Sequence, residues 1–166
     1  MVSTKIFHQA ITYETKIRDF YLSAANTIDD ERGKAIFKAL AGDEQTHLDF
    51  LNYSLDQLSQ DKDVDMDLLK TTIPLPAQKA LEKLSAKIPE KMLGDIKRVL
   101  NAALALEIET SRFYKKALQN CQGTEKAVFQ KFYELEQHHV DVVHTELDHA
   151  MKTGHWFNFM EVDMED

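Results

Sequence analysis

Six residues that can bind metal ions recur at matched spacings in the two halves of the chain. A Glu-x-x-His motif occurs twice, and its two metal-binding side chains share one face of a helix. Each motif is preceded by a single glutamate. The candidate ligands are Glu14, Glu44, His47, Glu107, Glu136 and His139. Four carboxylates brought together away from water need cations to stay ionised, and mixed carboxylate and imidazole ligation suits iron or manganese.

The elements that must position these residues are four predicted helices. Glycine and proline disfavour helix interiors, and the five glycines and three prolines of this chain are clustered. The stretches between the clusters predict helices over about 4–30, 34–60, 94–120 and 124–152. Short turns join the first helix to the second and the third to the fourth, so each pair is predicted to form an antiparallel hairpin.

The connection between the second and third helices is long, about 61–93. It contains all three prolines and a predicted short helix from Ala77 to Ala86. Two helical hairpins joined by a long crossover have the connectivity of ferritin-like bundles. The predicted fold is therefore all-α, a ferritin-like four-helix bundle over residues 1–152. Residues 153–166 are predicted to form an aromatic, then acidic, C-terminal tail.

The two hairpins repeat each other in sequence. Residues 34–37 match 126–129, and residues 44–49 match 136–141 at the same offset. In the helix before each match, the candidate ligand glutamate stands six residues before a Phe-Tyr pair. Hairpins with the same inner face can pack about a pseudo-twofold axis, which would bring all six candidate ligands to the centre of the bundle. One Glu from each of two helices with Glu-x-x-His from each of the other two is the di-iron carboxylate pattern.

The chain resembles the ferritin-like di-iron carboxylate family, and within it the rubrerythrin branch, over about 4–152. The resemblance rests on the two Glu-x-x-His motifs and on a matching E-x5-F-Y-x-x-A pattern in each half. It implies two iron ions, with manganese possible, bridged by Glu44 and Glu136. The other four ligands are implied to complete the two sites in pairs, Glu14 with His47 and Glu107 with His139.

Two features depart from the rubrerythrin pattern. Rubrerythrins typically also have a rubredoxin domain with two Cys-x-x-Cys pairs, whereas Cys121 is the only cysteine here. Electrons are therefore expected from an external donor protein, rubredoxin-like or similar. Rubrerythrins also carry an extra glutamate one turn after the third-helix ligand, which exchanges with histidine when the site changes oxidation state. This chain has Thr110 there, and Glu109 is expected to point away from the site.

The resemblance implies a redox enzyme that reduces hydrogen peroxide or O2 in oxidative-stress defence. The same ligands also serve three other functions. One is a ferroxidase or iron-handling protein of the bacterioferritin type, whose site has this six-ligand set. Another is a hydroxylase of the quinone-modifying type, which needs an apolar surface facing a membrane. The third is a non-catalytic bundle that metal stabilises and that binds partners.

Several residues near the ligands are candidates for supporting roles. Tyr21 and Tyr114 could donate hydrogen bonds to the ligand carboxylates and so tune the site, although any buried tyrosine needs a hydrogen-bond partner. Asp43 could orient a ligand histidine, but its counterpart in the second half is Leu135. The aromatic residues of the tail are expected to fold back on the bundle or to contact a partner.

Composition narrows the partners and the compartment. The net charge of −8 would repel nucleic acid and anionic membranes, and no apolar run approaches the length of a membrane helix. The first ten residues lack the pattern of a signal peptide. A lone cysteine fits a reducing compartment. We expect a cytoplasmic protein, a homodimer, with peroxide or O2 as its substrate.

Overall fold

Four long helices dominate the computed structural model, which describes residues 4–71, 73 and 86–157. The helices within these ranges are α1 (Thr4–Thr27), α2 (Glu31–Ser59), α3 (Leu93–Ala117) and α4 (Gly123–Thr153). Each lies within three residues of a predicted helix at both ends. Short 3-10 helices span Met66–Leu68, Glu90–Met92 and Leu118–Asn120.

Local capping explains where two of the helices begin and end. The Asp30 carboxylate accepts a 2.9 Å hydrogen bond from the Gly33 backbone N–H, which satisfies a free donor at the start of α2. At the end of α4, Gly154 adopts a left-handed conformation with φ of 70°. Its N–H donates to the Ala150 carbonyl at 3.0 Å, a helix ending that glycine makes without strain.

The helices assemble as two hairpins that bury their apolar faces against each other. Helix α1 packs on α2, α3 packs on α4, and α1 also contacts α3. The predicted all-α, ferritin-like bundle is confirmed. The apolar core forms two clusters: one includes Ile17, Phe37 and Leu100, and the other includes Phe7 and Phe129. All six candidate ligands fall between these clusters along their helices, so apolar side chains close the site from both ends.

A short strand pair, which the sequence analysis did not predict, attaches the tail to the crossover. Strand β1 (Ala86–Lys87) pairs antiparallel with β2 (His155–Trp156). The predicted helix from Ala77 to Ala86 lies outside the described residues except for Ala86, which belongs to β1. Two residues pair here because nearby contacts fix both segments: the Ile88 N–H donates to the Gly154 carbonyl at 2.9 Å.

Trp156 and Phe157 fold back into the core, which is one of the two alternatives expected for the tail. The Trp156 indole N–H donates to Asp30 at 2.7 Å, and its ring lies against Gly33. A Cβ at position 33 would come within 2.9 Å of that ring, so only glycine fits there. The Phe157 N–H donates to the Glu146 carboxyl at 2.7 Å. Burial raises the pKa of Glu146 well above 4.5, so this carboxyl is held neutral.

Candidate metal centre

The structure brings all six sequence-predicted ligands together at the centre of the bundle. Each helix contributes on its inward face: α1 supplies Glu14, α3 supplies Glu107, and α2 and α4 each supply a Glu-x-x-His pair. Every one of these side chains is fully buried. The three-residue spacing within each pair works because residues i and i+3 are neighbours on a helix surface.

The ligand atoms form two groups that share two carboxylates. Within each group, one atom from every residue lies within 4.8 Å of the others. The first group comprises Glu14, Glu44, His47 and Glu136, and the second comprises Glu44, Glu107, Glu136 and His139. This is the grouping that the resemblance implied, with Glu44 and Glu136 common to both. The residues therefore present two adjacent four-ligand sets.

The unpaired polar atoms in this cluster fit bound metal ions. Both carboxylate oxygens of Glu136 and the Nδ1 of His47 are buried without a hydrogen-bond partner among the described residues, and the same holds for one oxygen of each of Glu14, Glu44 and Glu107. Buried polar groups are otherwise almost always hydrogen-bonded. His47 Nδ1 lies 3.4 Å from Glu44 and 3.6 Å from Glu14, so it faces the carboxylates. Lone pairs that converge on one buried point are what a cation needs.

Two of the four carboxyls are held neutral in the metal-free protein. Burial raises the pKa of Glu44 well above 4.5, and the charges of Glu14 and Glu107 raise it further. Burial and the same two charges also raise the pKa of Glu136. Each carboxyl therefore keeps a proton at neutral pH, because a third or fourth negative charge in this space would lack a counter-charge.

The other two carboxyls are ionised and face protonated imidazoles. Burial opposes ionisation of Glu14, but contacts with Glu44 and His47 lower its pKa to about 2. Burial likewise opposes the charge on His47, yet the carboxylates nearby raise its pKa to about 10. Despite burial, the charge of His139 lowers the pKa of Glu107, and Glu44 and Glu107 raise that of His139. Among the six candidate ligands of the metal-free protein, two carboxylates thus face two imidazoliums.

Two tyrosines tie the single glutamates to the opposite hairpin. The Tyr21 hydroxyl of α1 donates to Glu107 of α3 at 2.9 Å, and the Tyr114 hydroxyl of α3 donates to Glu14 of α1 at 2.8 Å. Burial raises the pKa of both phenols well above 10, and the carboxylates raise it further. The phenols therefore keep their protons, and each fixes one oxygen of a candidate ligand.

Asp43 pairs with the far side of the His139 imidazole and lies close to that of His47. Its Oδ2 lies 2.5 Å from His139 Nε2 and 3.7 Å from His47 Nε2. The two rings stack with centroids 5.1 Å apart. Thr71, on the crossover, donates a 2.8 Å hydrogen bond to the same Oδ2. The Nε2 of His139 is engaged in this way, and its Nδ1 lies 2.7 Å from a Glu44 oxygen. The Nε2 of His47 has no hydrogen-bond partner among the described residues.

Replacing Asp43 with leucine should therefore weaken metal binding by roughly 10–100-fold, the usual loss when a histidine ligand is deprived of its orienting partner. Asp43→Asn should lose less, because the amide oxygen can still accept from Nε2. The measurement is cobalt(II) affinity by chelator competition. Asp49→Leu is the control, since Asp49 is exposed on the same helix. Equal affinities for the Leu and wild-type proteins would show that Asp43 does not position the His139 imidazole.

Two residues that the rubrerythrin pattern brings into question lie away from the ligand groups. Thr110 is buried but donates its hydroxyl to the Leu106 carbonyl at 2.9 Å. Glu109 is exposed and lines a surface groove, as expected. Thr71 was not predicted, and no sequence signal marks it. Glu146 was not predicted either, although it follows His139 by seven residues and so shares its helix face.

The comparisons with known proteins agree with this site. The rubrerythrin family model matches residues 5–147, which include every candidate ligand. The chain belongs to the rubrerythrin family. Proteins of the rubrerythrin family typically bind iron, and membership points to a di-iron oxidoreductase in general. The search of curated proteins gave no match.

One finding bears on membranes. No helix in the described part of the chain combines the length and apolar character needed to cross a bilayer.

Proposed function

We propose that this protein is a di-iron oxidoreductase that reduces hydrogen peroxide or O2 in oxidative-stress defence. The observation that carries the proposal is the pair of buried four-ligand sets sharing Glu44 and Glu136. A single cluster would suit one structural ion, whereas two sets with common carboxylates suit two ions held side by side. Reduction of a peroxide consumes two electrons and two protons and yields two waters.

Two iron ions held by Glu14, Glu44, His47, Glu107, Glu136 and His139 would supply the electrons for this reduction. The chain itself positions and insulates the site. Tyr21 and Tyr114 each fix one oxygen of a ligand carboxylate, and Asp43 fixes the His139 imidazole. Apolar clusters at both ends keep water out, which strengthens the charge interactions inside.

The electrons are proposed to come from a separate donor protein. A rubredoxin-type iron needs four cysteines, and these 166 residues contain only Cys121. Cys121 is buried, and we propose a cytoplasmic location, since a lone cysteine suits a reducing compartment. The donor must therefore reach the site from outside this bundle.

The direct test is metal content combined with reactivity. Protein produced in iron-rich medium, or reconstituted with ferrous iron, is expected to contain about two irons per chain, because two ligand sets are present. After anaerobic reduction, stopped-flow absorbance should show oxidation by peroxide or by O2. Glu146→Gln is a control that removes a buried carboxyl outside the cluster and should leave the iron content unchanged. Absence of iron after both treatments would refute the proposal.

Ferrous iron oxidation is the second candidate function, and position 110 favours it. Thr110 gives the site the six-ligand set of bacterioferritins, and its hydroxyl is engaged with its own helix. Size-exclusion chromatography separates the two candidates in part, since an iron store needs a 24-subunit shell and a peroxidase needs only the homodimer that we expect. Catalytic consumption of many ferrous ions per chain would favour iron handling.

A further inference from the structure

A groove between α1 and α3 carries an exposed pair of aromatic rings. Two adjoining cavities of about 480 and 300 Å³ lie along it. Tyr13 and Phe113 stack there, with ring centroids 4.7 Å apart and planes 25° from parallel. Both rings are half-buried, so one edge of the stack faces solvent. Ile6 and Ala117 extend the apolar floor.

This stack leads to the metal centre by a short path. Phe113 also contacts Tyr114, with centroids 5.2 Å apart. The Tyr114 hydroxyl donates to the candidate ligand Glu14 at 2.8 Å. Two ring contacts and one hydrogen bond therefore connect the solvent-facing Tyr13 to a metal-binding carboxylate. Electron tunnelling falls steeply with each gap between atoms, so a path of close contacts is favoured.

Other aromatic paths from the site have wider ring spacings or end less favourably. The shortest joins Tyr21, whose hydroxyl donates to Glu107, to the half-buried Phe20, with centroids 5.9 Å apart. The acidic Asp19 stands beside Phe20, whereas basic residues line the groove at the Tyr13 stack.

Another path runs from Tyr21 through Phe37 to Trp156, with centroids 6.1 Å apart at both steps. Trp156 is fully buried beside the acidic Asp30, so a donor cannot touch it.

A further path runs from Tyr114 through Phe132 and Phe50 to Tyr53. It needs three ring contacts, with centroids 5.3, 6.0 and 5.7 Å apart. The surface cavity at its end is lined by Asp49. The Tyr13 path has fewer and closer contacts than this one.

The surface formed by α1 and α3 differs in charge between its two ends, of which one carries the aromatic stack. Arg112 and Lys116 line the groove next to the aromatic stack. In the sequence repeat, their counterparts in α1 are Asp19 and Ser23. At the centre of the face, Lys16 and Glu109 offset each other in charge. The stack therefore has a basic rim on a chain whose net charge is −8, and an acidic protein would be repelled elsewhere but attracted here.

We propose that the groove lined by Tyr13, Phe113, Arg112 and Lys116 is the docking site of a small acidic one-electron donor protein, with Tyr13, Phe113 and Tyr114 as the route of electron entry. This inference rests on the proposed function. Each encounter oxidises the donor by one electron, and two encounters replace the two electrons that one peroxide consumes. Arg112 and Lys116 are exposed, which suits the rim of a protein interface better than a small-molecule pocket.

Docking is tested on metal-free protein, so that it does not depend on turnover. The probe is an acidic rubredoxin with zinc in place of iron, titrated into isotope-labelled protein and followed by NMR. We expect shift changes along the groove and loss of binding at high salt. The double substitution Arg112→Glu and Lys116→Glu should weaken binding by about tenfold or more. Lys115→Glu makes the same kind of charge change on an exposed residue outside the groove, and should alter affinity by less than about twofold.

Electron entry is tested on the iron-loaded, oxidised protein. Tyr13→Leu should slow reduction by iron rubredoxin by about tenfold, while reduction by dithionite, a small reagent, is unchanged. Phe20→Leu is the matched control, since Phe20 is the counterpart of Phe113 in the repeat, and it should leave both rates unchanged. Equal effects of the Tyr13 and Phe20 substitutions would overturn the route.

The outcomes separate this inference from the proposed function. If dithionite-reduced protein reacts with peroxide or O2 but rubredoxin shows no groove-dependent binding, the docking site is wrong and the function stands. If rubredoxin fails to bind and flavin mononucleotide binds at Arg112 and Lys116 instead, the groove is a small-molecule site and the inference is also wrong. A protein that docks rubredoxin in the groove yet, when reduced, reacts with neither oxidant would refute the function alone.

Discussion

Loading the metal-free protein with two ferrous ions at pH 7 is expected to release about four protons. Before loading, Glu44 and Glu136 are protonated because burial and the neighbouring charges raise their pKa values. His47, with a pKa of about 10, and His139, whose pKa is also raised, carry one proton each on the atoms that must bind metal. Metal ligands must be deprotonated carboxylate and neutral imidazole, so all four protons leave.

This proton release determines how metal affinity depends on pH: the affinity should increase as the pH rises. Because binding expels protons, raising the pH favours the loaded form. With about four protons released, the overall affinity for the ion pair should rise by about four powers of ten per pH unit near neutrality. The dependence should weaken above pH 10, where His47 has lost its proton in the metal-free protein as well.

The proton count is measured by anaerobic titration in two buffers of different ionisation enthalpy. When the Glu136→Gln protein binds the metal ions that it can still hold, it should release about one proton fewer, because the amide has no proton to lose. Glu146→Gln is the control: Glu146 is also a buried neutral carboxyl, but it lies outside the ligand groups, so the count should not change. Release of fewer than about two protons would mean that the cluster is not protonated as described.

The bundle and the convergence of the six candidate ligands were predictable from sequence because both depend on periodic, local signals. Breaker positions fixed the helix ends, and a helical face carrying Glu-x-x-His must point inward when its neighbours are apolar. The repeat then removed most of the ambiguity about which faces meet. Asp43 was also identifiable, beside Glu44, as a residue that could orient a ligand histidine, and it stands four residues before His47 on one face.

The crossover and the tail were less predictable because their contacts are not periodic. Thr71 reaches Asp43, and Trp156 fits against Gly33, across large distances in sequence. Such contacts depend on how a connection lies over the finished bundle, for which a single sequence gives little indication. The two-residue strands β1 and β2 are too short to show alternation.

Replacing Thr110 with glutamate is expected to raise the preference of the reduced protein for peroxide over O2 by about tenfold. This corresponds to a change of about 1.4 kcal/mol in the activation barrier for one of the two oxidants relative to the other. Position 110 is one turn from Glu107 on the same face of α3, so the new carboxylate would point toward the second ligand group. Thr110 cannot take that role, because its hydroxyl is engaged with the Leu106 carbonyl. In rubrerythrins that carry the extra glutamate, it exchanges with the histidine ligand.

The comparison is the ratio of two stopped-flow oxidation rates, by peroxide and by O2, from the same reduced starting state. Thr110 is 1% exposed, so a longer side chain has to be accommodated in a packed interior at a cost of about 1–3 kcal/mol. Thr110→Gln imposes the same bulk without the charge and is the matched control. If only the glutamate variant shifts the ratio, the charge is responsible. Both variants add the same bulk, so an equal shift of the ratio in the two would be caused by repacking around Glu107. An unchanged ratio in both would show that position 110 does not set the preference.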